Sequence, residues 1–120
     1  MKFLANTGTE NHLIVLRDNL KQFDEAYFAV AFLKMSGLNL LLSSIKDFLN
    51  AGKKLTIIAG QNFGLTEPEA LHTLRKLFRS HAASKIFLAK ANVTTCIFHP
   101  KLYLFRSGNS CSVISGSANI

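Results

Sequence analysis

Apolar residues recur along the chain in blocks that alternate between helical spacing and the nearly unbroken runs of buried strands. A short strand is predicted at Leu4 and Ala5, and helical spacing follows from Glu10. The apolar positions of this first helix are Leu13, Ile14, Leu16, Leu20 and Phe23. Residues 25–33 are almost entirely apolar, which is typical of a central strand covered by helices on both faces. The order strand, helix, strand is therefore predicted at the start.

The middle of the chain repeats this alternation. Ser36 is predicted to cap a second helix, which residues 50–52 (Asn-Ala-Gly) close. Its apolar positions are Leu38, Leu41, Leu42, Ile45, Phe48 and Leu49. Residues 54–59 then predict a second central strand, and residues 60–66 a loop.

The last half of the chain predicts one more helix and a hairpin. Residues 66–69 (Thr-Glu-Pro-Glu) have the cap, the first-turn acids and the early proline that begin a third helix. Strands are predicted at residues 84–89 and 96–105. A turn at residues 107–110 leads to a returning strand at 111–115. The fold class is therefore α/β: a layered mixed sheet flanked by helices and ending in an antiparallel hairpin.

Composition narrows the class of protein. The 120 residues suffice for one domain, and a hydrophobic share of 48% with ten Phe excludes a disordered chain. Lys and Arg number 14 against seven Asp and Glu, a net charge of +7, so a polyanion such as nucleic acid is an expected partner. The first residues lack the plan of a signal peptide, and the apolar block at 26–33 is too short to span a membrane. We expect a cytoplasmic protein without a membrane partner.

Cysteine usage agrees with that compartment. Cys96 and Cys111 are expected to be free thiols in a reducing environment. The spacing of Cys96 and His99 resembles a metal motif, but two cysteines and one histidine make an incomplete zinc set. No metal and no cofactor is predicted.

Candidate chemistry is concentrated at the end of the chain. His99 and Lys101 lie two positions apart on a predicted strand, so both side chains point to one face. Ser117 and Asn119 follow the next strand, and Gly116 would let a phosphate approach the backbone closely. Each motif alone is better explained as a strand end or an ordinary turn. Both motifs, joined by one hairpin, favour a phosphate site.

The register of the hairpin provides a test of this site. A three-residue loop at 108–110 would place His99 opposite Asn119 and Lys101 opposite Ser117. A two-residue loop would turn Ser117 and Asn119 to the opposite face. We therefore predict a loop with an odd number of residues, or a bulge.

The HPK sequence at residues 99–101, with the GSAN sequence at residues 116–119, resembles the active-site motif of the phospholipase D superfamily. It is most similar to the nuclease branch, which includes restriction endonucleases and helicase-linked nuclease domains. The resemblance implies a phospholipase D-like sandwich over residues 1–120. It also implies that His99 is a nucleophile forming a phosphohistidine intermediate without a metal. The implied phosphate-binding residues are Lys101, Gly116, Ser117 and Asn119.

The chain departs from the full motif in two ways. Arg106 stands five positions after the lysine, where the full motif has an acid, although nuclease-branch sequences often lack that acid. One active site of the family takes two copies of the motif, and this chain has a single copy. A homodimer with two His99 residues across a two-fold axis is therefore expected, and contacts from a missing C-terminal segment are the alternative way to complete the site. The chain stops one residue after Asn119, so we also expect an N-terminal fragment of a longer protein.

The leading functional hypothesis is a metal-independent phosphodiesterase that cleaves DNA. The alternative is a non-catalytic nucleic-acid-binding module that uses the same site as a phosphate clamp. A lipid-headgroup phosphodiesterase is disfavoured by the missing acid and the absence of a predicted membrane segment.

Overall fold

The computed structural model of the chain describes residues 11–61, 64–89, 99–116 and 119–120. Within these ranges the elements are α1 (His12–Gln22), β1 (Glu25–Val30), α2 (Met35–Asn50), β2 (Lys54–Gly60), α3 (Pro68–Phe78), β3 (Lys85–Ala89), β4 (Lys101–Ser107) and β5 (Ser110–Ser115). Every helix and strand predicted there is present. The strand predicted at Leu4 and Ala5 lies outside the described residues.

The five strands form one mixed sheet in the order β3-β2-β1-β4-β5. β1, β2 and β3 are parallel because a helix connects each to the next, whereas β4 runs antiparallel to β1 and to β5. This arrangement confirms an α/β fold with a mixed sheet that ends in an antiparallel hairpin. β1 lies at the centre, with β2 on one side and β4 on the other.

A single hydrophobic core lies between the helices and one face of the sheet, which we call the inner face. The inner face consists of alternate strand residues that are almost fully buried: Ala26, Phe28, Val30, Leu55, Ile57, Ala59, Tyr103 and Phe105. Apolar side chains of α1, α2 and α3 all belong to the same cluster. Burial of these apolar surfaces is the main stabilising term of the fold.

The opposite, outer face of the sheet is also apolar but much more open. Phe87 is 51% exposed, Leu102 39% and Val113 57%. The prediction that helices cover both faces is therefore wrong for the described part of the chain, whose helices all pack on the inner face. Apolar residues at successive strand positions show that both faces of the strand are apolar. They do not show whether a helix covers each face.

Among the predicted ends of α2, the closure at Gly52 is confirmed and the Ser36 cap is wrong. Asn11 caps α1 by accepting the N–H of Ile14, and Gly52 ends α2 with a φ of +79°. Ser36, predicted to cap α2, instead lies in its first turn, and Lys34 occupies the cap position.

None of the described helices has the length and apolar character that crossing a membrane requires.

Candidate functional site

The predicted site residues converge on the carboxyl end of the central strand. Lys101, the first residue of β4, pairs with Val30, the last residue of β1. His99 precedes this pair by two residues and contacts Phe32, and Asn119 bonds the backbone of Ala31 and Phe32. The strand order reverses between β1 and β4, and open α/β sheets commonly bind ligands at such a reversal.

His99 is exposed and Lys101 is half-buried. The imidazole meets the Phe32 ring edge-on, with ring centroids 5.7 Å apart and the planes inclined by 67°. The Lys101 Nζ donates to the His99 carbonyl oxygen at 3.3 Å, which keeps the ammonium beside the histidine. Neither side chain is fully buried, because β4 begins only at Lys101 and both residues lie at the end where the strand begins.

The carboxamide of Asn119 is held by the backbone after β1. Its Oδ1 accepts the N–H groups of Ala31 at 3.0 Å and of Phe32 at 3.1 Å. Two donors on one oxygen determine which way the amide faces, so Nδ2 is the atom with which Asn119 can bind an anion. This contact spans 87 and 88 positions of sequence, and no local pattern indicates it.

The turn from β1 to α2 is tied to two distant segments. After Ala31 and Phe32, the N–H of Leu33 donates to the hydroxyl of Thr66 and the N–H of Lys34 to the carbonyl of Ile120. The Met35 N–H donates to a carboxylate oxygen of Glu67 at 2.8 Å, so that residue supplies the cap predicted for Ser36. Five consecutive N–H groups are thus accepted by residues 66–67 and 119–120. The sequence indicated Thr66 and Glu67 only as the start of α3.

The register of the hairpin differs from the prediction. Ser107 pairs with Ser110 and Leu102 with Ser115, so the turn has two residues, Gly108 and Asn109. The predicted odd loop is wrong because Gly108 adopts a φ of +56°, which suits a tight two-residue turn. The Gly116 N–H donates to the Lys101 carbonyl at 3.2 Å, which continues this register to the last described residue before Asn119. Asn119 therefore reaches the site by contacting the turn after β1, and not as a cross-strand partner of His99.

The two other motif residues are Ser117 and Gly116. Ser117 lies outside the described residues. A methyl group on Gly116 would meet no atom of the described chain within 4 Å, so packing within that part of the chain does not require glycine there.

Arg106 lies at the other end of β4, next to the start of β1. Its Nε is 3.9 Å from a carboxylate oxygen of Glu25. It lies five positions along the strand from Lys101, roughly 16 Å at the ordinary rise. A residue at this position lies far from the end of the hairpin that carries Lys101, so the arginine does not alter the immediate surroundings of His99.

The other histidines lie elsewhere. His12 packs edge-on against Tyr103 with ring centroids 5.0 Å apart, and burial lowers its pKa from the usual 6.5. Burial also raises the pKa of Tyr103 well above its usual value, so its hydroxyl stays protonated. His72 is exposed and His81 is half-buried.

Candidate metal ligands do not cluster in the part of the chain that the structure describes: no three His, Cys, Asp or Glu side chains there could share an ion. Cys111 is a free, exposed thiol. Cys96, the other half of the metal-like spacing, lies outside the described residues.

Comparison with models of known protein families and with curated proteins finds no match to this chain. The function proposed below therefore rests on the sequence and the geometry of the chain.

Proposed function

We propose that the chain is a phospholipase D-like nuclease domain carrying half of a metal-independent phosphodiesterase site for DNA. The observation that carries the proposal is the meeting of His99, Lys101 and Asn119 around residues 30–32. An exposed imidazole, an adjacent ammonium and an oriented amide donor are the groups that phosphoryl transfer requires in the absence of a metal. The net charge of +7 favours a polyanionic substrate.

In the proposed reaction, a ring nitrogen of His99 attacks phosphorus. A P–N bond forms, and the bond from phosphorus to the leaving ester oxygen breaks. The Nζ of Lys101 and the Nδ2 of Asn119, helped by Ser117, hold the non-bridging oxygens, whose negative charge grows during attack. His99 of a second copy protonates the leaving oxygen.

Hydrolysis then completes the cycle. Water attacks phosphorus, the P–N bond breaks, and His99 of the second copy, now neutral, takes the proton of the water. Each copy contributes one histidine, so the complete site is a homodimer.

Cleavage of duplex DNA in EDTA tests the proposal. We expect cleavage by the wild-type chain and by His72→Ala, whose histidine is exposed on α3, and none by His99→Ala. An alkaline denaturing quench should also trap DNA covalently bound to His99, since phosphohistidine is stable to base and labile to acid. The proposal fails if the dimeric wild-type chain does not cleave DNA, or if His99→Ala cleaves equally well.

A non-catalytic phosphate clamp is the second candidate, and one observation favours it. Lys101 pairs with Val30 and Asn119 bonds the next two residues of the same copy, so a single copy can bind phosphate, whereas the reaction requires a second imidazole. A clamp binds duplex DNA without cleaving it, loses affinity in Lys101→Ala and keeps it in His99→Ala. Lys46→Ala is the matched control, because Lys46 is exposed on α2.

A further inference from the structure

Hydrogen bonds to the backbone on both sides of Phe32 fix its position. It lies two residues after the end of β1 and is half-buried. Its N–H and that of Ala31 donate to the same oxygen of Asn119, and the N–H of Leu33 donates to Thr66. These bonds restrict the backbone on each side of Phe32, so the direction in which its side chain leaves the chain is also restricted.

The ring of Phe32 contacts the imidazole of His99. The centroids are 5.7 Å apart and the ring planes are inclined by 67°, an edge-to-face geometry that aromatic pairs prefer. His99 is exposed and precedes the first residue of β4, so no strand pairing orders it. An exposed side chain in that position otherwise samples several rotamers.

We propose that Phe32 is a positioning residue that fixes the orientation of the His99 imidazole relative to Asn119. The inference rests on the proposed function of His99 as nucleophile. One residue links the two groups, because its N–H binds the Asn119 carboxamide while its ring contacts the imidazole. The benzyl side chain has no proton to exchange, so it acts through His99 and not on the phosphate.

The expected effect is on the rate of the chemical step. An in-line attack requires the ring nitrogen to face phosphorus, and loss of orientation lowers the fraction of productive complexes. An edge-to-face contact corresponds to an effect of about 2- to 10-fold. We expect this loss in kcat with KM unchanged, since Lys101 and Asn119 bind the phosphate.

The variants Phe32→Leu and Phe32→Tyr test the role of the ring. Leucine removes the aromatic contact but keeps an apolar side chain, whereas tyrosine keeps the ring. Phe87→Leu is the control, because Phe87 is an exposed phenylalanine on the outer face of β3. The first readout is the NMR signals of the His99 ring protons, identified by their loss in His99→Ala. The second is kcat and KM for DNA cleavage in EDTA.

The wild-type chain should show nuclear Overhauser contacts between the Phe32 and His99 rings. Phe32→Leu should shift the His99 signals and lower kcat, Phe32→Tyr should restore both, and Phe87→Leu should change neither. Unchanged His12 signals serve as the check that each variant is folded.

Three results overturn the inference. The first is the absence of ring contacts in the wild-type spectrum. The second is a set of His99 signals in folded Phe32→Leu that coincide with those of the wild type. The third is a raised KM with unchanged kcat, which would mean that Phe32 binds substrate. Failure of the proposed function is distinguishable, because a chain that cleaves no DNA still reports the Phe32–His99 contact by NMR.

Discussion

The carboxamide of Asn119 has one observed contact and one proposed role. Its oxygen accepts two backbone N–H groups, so the proposed binding of phosphate uses its nitrogen. The observed contact concerns folding, and the proposed one concerns ligand binding. Substitutions that replace only one end of the amide can separate these contributions.

Asn119→Asp and Asn119→Ala should both weaken DNA binding, but only Asn119→Ala should destabilise the fold. Aspartate keeps an acceptor for both N–H groups, whereas alanine leaves them without it, at a cost of roughly 1–3 kcal/mol of unfolding free energy. Both variants lose the donor to phosphate, and the aspartate charge also repels it, so DNA affinity in EDTA should fall about tenfold or more in Asn119→Ala and further in Asn119→Asp. Urea unfolding and fluorescence anisotropy measure the two effects. Equal destabilisation by both substitutions would contradict the backbone role. Retained DNA affinity in Asn119→Asp would contradict the ligand role.

His12 makes the stability of the fold sensitive to acid. Burial lowers its pKa below 6.5 in the folded chain, so the unfolded chain takes up the proton first as pH falls. The contribution of the neutral imidazole is complete above about pH 6.5 and is lost progressively below it. The unfolding midpoint of His12→Phe should therefore fall less than that of the wild type between about pH 7.5 and 5. His72→Gln should retain the wild-type dependence, and identical curves for all three chains would rule out His12 as the source.

At the scale of elements, the turn between β1 and α2 depends on segments remote in sequence. Residues 66–67 and 119–120 accept all five N–H groups from Ala31 to Met35. Gly37, in the first turn of α2, permits the close approach of Ile120, because a Cβ there would overlap the Ile120 backbone. The absence of a side chain at Gly37 is therefore coupled to the position of Asn119.

Gly37→Ala should release the last two residues from the turn. Alanine in a helix ordinarily adds up to about 1 kcal/mol of stability relative to glycine, but here its methyl displaces Ile120. The N–H groups of Ala31, Phe32 and Lys34 should then exchange with solvent faster, as measured by hydrogen exchange. Ser43→Ala, at an exposed position of α2, controls for the gain in helix propensity. Unchanged exchange at Phe32 would show that the methyl is accommodated with Asn119 in place.

At the scale of the whole molecule, one copy offers one His99-Lys101 pair, and the proposed reaction needs two imidazoles. Adding excess His99→Ala to the wild-type chain should lower cleavage below the value expected from dilution, because mixed dimers contain a single nucleophile. His72→Ala should not inhibit when added in the same excess. Activity that is insensitive to added His99→Ala would place the complete site within one copy.

The order of elements was predictable over the whole described chain, because helical and strand spacing are local properties. The 25–33 strand was predicted too long, since Ala31 and Phe32 bond Asn119 instead of a neighbouring strand. The prediction of a Ser36 cap was wrong for a similar reason. The N–H of Met35 donates to the carboxylate of Glu67, which lies 32 positions away in sequence. In these two places a distant residue replaces a local hydrogen-bond partner.

His99, Lys101 and Asn119 were readable as candidates from the sequence alone, because their chemistry is carried by residue type and spacing. Tertiary structure decided how they meet: Lys101 pairs with the end of β1, and Asn119 reaches the backbone that follows it. It also added Phe32, which no spacing rule connects to His99. Local pattern specifies which elements form. Which side chains those elements bring together depends on contacts between residues distant in sequence. It also depends on the unpaired backbone N–H groups that follow the central strand, which these distant residues accept.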